Sequence, residues 1–103
     1  MKTFKNSCAQ GDVLIRRVAE IPAGMAPVAP VDGAVIVTHS ETGHHHTMVL
    51  DREDDPAVEL FQSADNPLIA WIKVNRPTAL VHNRPHDTHE PILFDPGTYE
   101  VRR

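Results

Sequence analysis

The sequence has one cysteine, Cys8, among 103 residues, so no disulfide can form within the chain. It has no apolar run near the roughly 20 residues that a membrane-spanning helix needs. The opening stretch from Met1 to Ser7 has no apolar segment of the kind that signal peptides carry. We therefore expect a cytoplasmic protein that has no membrane partner.

Positive charge is also sparse. The chain carries 10 Lys and Arg residues against 14 Asp and Glu residues, with a formal net charge of −4. Binding to a phosphate backbone needs clustered basic side chains, and only the pairs Arg16-Arg17 and Arg102-Arg103 are adjacent. The sequence predicts no nucleic-acid partner.

The sequence also has no long stretch in which apolar residues recur every three or four positions, as they do in an amphipathic helix. Nine prolines and five glycines interrupt the chain, and short runs rich in Val, Ile, Leu and Thr lie between them, which is typical of strands. We predict one all-β domain over residues 1–103, a small antiparallel barrel or sandwich. The seven predicted strands are Asp12–Ala19, Ala34–Ser40, His44–Leu50, Ala57–Ser63, Leu68–Asn75, Thr78–Asn83 and Thr98–Arg103.

The segment Ile21–Gly33 contains Pro22, Pro27 and Pro30. Three prolines remove three backbone donors, so the segment is predicted to be a loop or an extended edge segment. Small domains with strand edges of this kind often pair with copies of themselves. We therefore expect a homo-oligomer.

All seven histidines fall in two short windows of the sequence. The first window spans the predicted hairpin between the second and third strands, and the second spans the end of the sixth strand and the loop after it. The histidines are His39, His44, His45, His46, His82, His86 and His89. A compact β fold can bring two such windows together, which indicates a divalent-metal site.

Parity along a strand selects the first ligands. His44 and His46 share a strand face because alternate side chains point the same way, whereas His45 points to the opposite face. Both imidazoles of the pair can then reach one ion at about 2.0–2.1 Å, and His82 and His89 would supply the other half. Zinc is the expected metal, with iron, nickel or copper as alternatives, and affinity should fall below about pH 6.5 because protonated imidazole cannot ligate.

Two questions about this site stay open at the level of the sequence. His39 lies either on the same face of the hairpin as His44 or on the opposite face. Which of the two holds depends on the register of the hairpin at Glu41-Thr42-Gly43. Glu41 is a fifth candidate ligand, so the site could be closed and structural or open and catalytic. Three function classes follow: a metal-binding module with a structural, sensing or assembly role, a small metalloenzyme that activates water or oxygen, or a plain interaction protein whose histidines are incidental.

Several motifs resemble a family of small, largely uncharacterised bacterial and phage proteins. The shared pattern is Thr-Gly-His-x-His at Thr42–His46, Leu-x-His ending at His82, His-x-Pro-Ile from His89 and Pro-Gly-x-Tyr from Pro96. The opening Gln10–Ile15 also matches such chains. The resemblance implies the same four ligands, His44, His46, His82 and His89, and no established activity.

A second and weaker resemblance is to the cupins. Gly33 and His39 have the spacing that begins the first cupin motif, but Glu41 stands where the next ligand is expected and the second motif is absent. The resemblance implies a barrel-like fold lined by histidines.

Two other groups have plainer interpretations. Cys8 has no recognisable activating neighbour and is interpreted as a spare thiol. The acidic stretch Asp51–Asp55 lacks the spacing and glycine of a calcium-binding loop and is interpreted as a solvated turn.

Overall fold

The computed structural model describes residues 2–38, 45–52, 54–66, 68–82 and 90–103. Within these ranges the chain forms eleven strands and no helix, which confirms the predicted all-β class. No helix in the described ranges could cross a membrane. The strands are β1 (Lys2–Thr3), β2 (Ser7–Gln10), β3 (Val13–Val18), β4 (Ala26–Val28), β5 (Ala34–Thr38), β6 (His46–Val49), β7 (Val58–Gln62), β8 (Ile69–Val74), β9 (Thr78–His82), β10 (Ile92–Phe94) and β11 (Gly97–Arg102).

The strands form two sheets that pack face to face. The first sheet has the order β1-β10-β9-β6-β5, and the second has the order β2-β3-β11-β8-β7-β4. Apart from the parallel pair β1–β10, the neighbouring strands run antiparallel. Between the two predicted alternatives, the fold is therefore a sandwich rather than a closed barrel.

Alternation along the strands builds the core. Val35 and Val37 of β5 are buried, while their neighbours along the strand are half-buried, and β9 likewise buries every second side chain. Such alternation places one face of each strand between the sheets. The largest fully buried side chains are Tyr99, Phe94, Ile15, Met48, Ile72, Leu80 and Ile92.

The seven predicted strands are all present among the described residues, with ends that differ by at most two residues. The sequence patterns did not indicate β1, β2 and β10 as strands. These three strands have only two to four residues each. Strands this short leave no alternating pattern that a sequence could reveal.

The proline-rich segment 21–33 combines an edge strand with a tight turn. Its strand β4 pairs only with β7 among the described residues and forms one edge of the second sheet, as predicted for an extended edge segment. The turn follows at Asp32 and Gly33, whose φ angles are 50° and 74°. Val31 and Ala34 exchange backbone hydrogen bonds of 2.8 and 3.0 Å across it, which is the arrangement that Asp-Gly pairs favour.

Candidate functional site

Strands β6 and β9 place two histidines directly opposite each other. In the antiparallel register of this pair, His46 lies opposite His82 and Thr47 lies opposite Val81. His46 shares the inward strand face with Met48, which is fully buried, and His82 shares it with Leu80. Both imidazoles are therefore inside the sandwich, next to the apolar core, and are only 4% and 8% exposed.

The two rings form a parallel stack. Their centroids are 4.0 Å apart and their planes differ by 8°. Two positively charged rings in this arrangement would repel each other at a site with little solvent. The geometry is therefore that of a pair in which at least one ring is neutral.

Gln10 reaches this pair from the opposite sheet. It is the last residue of β2 and is 2% exposed. Its side-chain nitrogen Nε2 donates to the backbone oxygens of Leu80 at 3.0 Å and Glu90 at 3.1 Å. Its oxygen Oε1 lies 2.7 Å from Nδ1 of His46, so a single buried amide joins the two sheets and contacts the histidine stack.

These hydrogen bonds determine which nitrogen of His46 carries the proton. An amide oxygen only accepts, so Nδ1 of His46 must be the protonated donor in the 2.7 Å contact. In the neutral ring the lone pair is then on Nε2. A hydrogen bond from the second ring nitrogen to a carbonyl-type oxygen is the usual accompaniment of a metal-ligating histidine.

The stack has to open before both rings can hold one ion. With bonds of about 2.0–2.1 Å at a tetrahedral angle, the two coordinating nitrogens lie about 3.3 Å apart and their lone pairs converge. Parallel rings at 4.0 Å direct their lone pairs side by side instead. A turn of one or both rings about the side-chain torsions would bring the lone pairs together.

Of the four predicted ligands, the structure brings His46 and His82 together. His44 and His89 lie outside the described residues, as do His39, His86 and the fifth candidate, Glu41. His45 is described, and it is half-buried just before β6 begins. Within the described ranges, no group of three or more His, Cys, Asp or Glu side chains is arranged to hold a metal ion.

Gln10 is the site residue that sequence reasoning missed. It belongs to the opening motif that resembles the family, but nothing in a neutral residue before a glycine indicates that it is buried or that it faces a histidine 36 positions away. Thr38 is a further neighbour by register, because a bulge between Ile36 and Thr38 places Thr38 opposite His46.

The surroundings of Cys8 and of the acidic turn at residues 51–55 agree with their interpretation as a spare thiol and a solvated turn. Burial raises the pKa of the Cys8 thiol to about 11, which keeps it protonated and unreactive. In the acidic turn, Arg76 pairs with Asp51 at 2.8 Å and with Asp55 at 3.2 Å. Its guanidinium holds the pKa of Asp51 below the ordinary value, and both carboxylates are ion-paired at the surface.

A family model matches most of the chain. The family described as "Domain of unknown function (DUF8820)" matches residues 9–103. No curated protein matches the chain, and no solved structure matches it.

Proposed function

The chain belongs to the DUF8820 family, and we propose that it is a divalent-metal-binding β domain whose site is built on His46 and His82. His44 and His89 complete the proposed ligand set. The observation that carries the proposal is the hydrogen bond between Nδ1 of His46 and Oε1 of Gln10, because it leaves Nε2 of a buried imidazole as the nitrogen that can ligate. Zinc is the proposed metal, with iron, nickel or copper as alternatives.

Three features of the described residues support a metal at this place. Two imidazoles lie opposite each other on neighbouring strands. Both are buried at the inner face of the sheet, where little water competes for the ion. One of them has its Nδ1 only 2.7 Å from the oxygen of a buried amide. The strand parity that pairs His44 with His46 would add a third imidazole on the same face.

The role proposed for the metal is structural, sensing or assembly. A bound ion that bridges β6, β9 and the segments flanking them would stabilise the folded state, since it binds only when the ligands are brought together. Catalysis is the alternative if the ion keeps an exchangeable water.

A second candidate function has its own supporting observation. The stacked rings and Gln10 together form a buried polar cluster that joins two sheets, and a cluster of this kind can order a core without any metal. In that case the protein is a plain structural or interaction domain whose histidines serve packing.

Metal content separates the two candidates. The protein should be purified without a histidine tag or nickel resin, and its bound metals measured with their stoichiometry. We expect about one equivalent in the wild type, and zinc titration of the metal-free protein should give the same number. His46→Ala and His82→Ala should each abolish stoichiometric binding, whereas the matched control His45→Ala should bind nearly as the wild type does. A wild-type protein that neither carries nor takes up metal would support the second candidate.

The other expectations from the sequence do not depend on this proposal. The Thr-Gly-His-x-His and His-x-Pro-Ile patterns, the phage-like context and the weak cupin likeness stay predictions. A cytoplasmic location and a homo-oligomeric state are also proposed from the sequence.

A further inference from the structure

We propose that Gln10 is a positioning residue that holds His46 in the Nδ1-protonated tautomer and thereby makes Nε2 the metal-binding nitrogen. The tautomer is a property of the metal-free protein. Its consequence for metal binding rests on the function proposed above.

The orientation of the Gln10 amide follows from its surroundings. With Nε2 directed at the oxygens of Leu80 and Glu90, both amide hydrogens find acceptors at 3.0 and 3.1 Å. In the flipped orientation Oε1 would face two carbonyl oxygens, and both of these hydrogen bonds would be lost. Unmade hydrogen bonds are costly for a side chain that is 2% exposed, so the oxygen must face His46.

The nitrogen and the oxygen of the Gln10 amide therefore have different roles. The nitrogen end joins β2 to the backbone of the first sheet, through β9 and the residue two before β10. The oxygen end meets Nδ1 of His46 at 2.7 Å and leaves the lone pair of the neutral ring on Nε2. A residue that served only to join the sheets would need the nitrogen end alone.

Substitutions can separate the two ends. Gln10→Glu keeps an oxygen that accepts from Nδ1 but loses the amide donors to Leu80 and Glu90. Gln10→Met has a similar length and loses both ends. Val101→Ala is the matched control, because it truncates a side chain that is 1% exposed in β11 and destabilises the core without changing any partner of Gln10.

The first measurement is the tautomer of His46 in the metal-free protein, read from the imidazole ¹⁵N chemical shifts at pH 8. We expect Nδ1 to be protonated in the wild type, in Gln10→Glu and in Val101→Ala, and we expect a mixture of the two tautomers in Gln10→Met. An Nε2-protonated His46 in the wild type would overturn the proposal, and so would a Gln10→Met spectrum with Nδ1 still fully protonated. If Gln10→Met does not fold, the wild-type and Gln10→Glu spectra still decide, because both must show Nδ1 protonated.

The second measurement is the zinc affinity of the same proteins, with urea unfolding as the readout of stability. Gln10→Met should weaken zinc binding about 10–100-fold, the usual cost of losing such a partner of a ligating histidine. Gln10→Glu should lose unfolding stability but keep zinc affinity within a few fold of the wild type. If affinity instead follows stability across all three variants, Gln10 is only a structural bridge. If the tautomers behave as expected and no protein binds zinc, the positioning of His46 holds and the proposed function is wrong.

Discussion

Glu100 lies on the outward face of β11, yet its side chain is only 10% exposed because Arg16 and Arg102 cover it. The guanidinium of Arg102 donates to one carboxylate oxygen, and that of Arg16 lies 3.4 Å from the other. The hydrogen bond from Arg102, followed by the charges of both arginines, holds the pKa of Glu100 below its ordinary value of 4.5. A carboxylate that releases its proton more readily in the folded state stabilises that state above the ordinary pKa.

The substitution Glu100→Gln tests this contribution. At pH 7 it should lower the free energy of unfolding by about 0.5–1 kcal/mol, a small effect because both arginines are largely in solvent. The difference from the wild type should shrink as pH falls below 4.5 and through the lower folded-state pKa, where Glu100 becomes protonated. Urea unfolding over this pH range measures it, with the exposed Glu20→Gln as control. A difference that stays constant with pH would contradict the ion-pair account.

Tyr99 combines a hydroxyl hydrogen bond with a position in an aromatic cluster. Its ring is fully buried, packs 4.8 Å from the ring of Phe94 and 5.6 Å from that of Phe4, and carries Arg17 over one face. Its hydroxyl donates to the backbone oxygen of Asp95 at 2.6 Å, which closes the turn between β10 and β11.

Tyr99→Phe should therefore lower the free energy of unfolding by about 1 kcal/mol, because it removes one hydrogen bond and keeps the ring. Thermal or urea unfolding measures the change. Tyr99→Leu, which also removes the aromatic contacts, should cost clearly more. If Tyr99→Phe were as stable as the wild type, the hydroxyl would not hold the turn.

The turn at Asp32-Gly33 determines where β5 begins. Gly33 has a φ of 74°, in the left-handed region that residues with a Cβ atom disfavour. Gly33→Ala should lower the free energy of unfolding by about 1–2 kcal/mol. Ala29→Gly, at an exposed position in the same segment, is the control for general changes in chain flexibility. If Gly33→Ala left the free energy of unfolding unchanged, the turn would have to adopt another type.

The elements also show where sequence reasoning ends. Short runs rich in Val, Ile, Leu and Thr predicted β3, β5, β7, β8, β9 and β11, each of which runs for five or six residues. The predicted hairpin pairs β5 with β6, as the structure does. The sequence could not predict that β6 also pairs with β9 across more than 30 residues, because that choice depends on how two whole sheets pack.

The candidate site likewise has a part that the sequence predicted and a part that depends on how the sheets pack. Parity and clustering predicted that His46 and His82 belong to one site, and the register of β6 and β9 brings them together. Gln10 could not be predicted, because its role depends on the packing of β2 from the second sheet against the first. Its neighbours Ala9 and Gly11 carry no pattern that indicates a buried amide.

The two sheets differ in their outward faces. The outward residues of β6 and β9, including Val49 and Val81, carry no charge, and Val49 is 67% exposed. The outward face of the second sheet carries Arg16, Lys73 and Glu100. An uncharged sheet face needs no complementary charge on its partner, which is consistent with the expected pairing between copies of the chain.

Light scattering tests this expectation. The wild type should have a mass above the 11.4 kDa of one chain at micromolar concentration, and Val49→Lys should shift it toward one chain. Leu14→Lys, which changes a residue of similar exposure on the second sheet, should leave the mass unchanged. A wild-type mass of one chain would contradict the prediction, and equal effects of the two lysines would place the contact elsewhere.

We propose that His46 and His82 share one metal ion, and imidazole ¹⁵N chemical shifts during zinc titration are a direct test of this sharing. We expect Nε2 of His46 and one nitrogen of His82 to shift together and to reach their final values at one equivalent of zinc, while His45 stays unchanged. Saturating zinc that leaves the nitrogens of His46 and His82 at their metal-free shifts would contradict the claim.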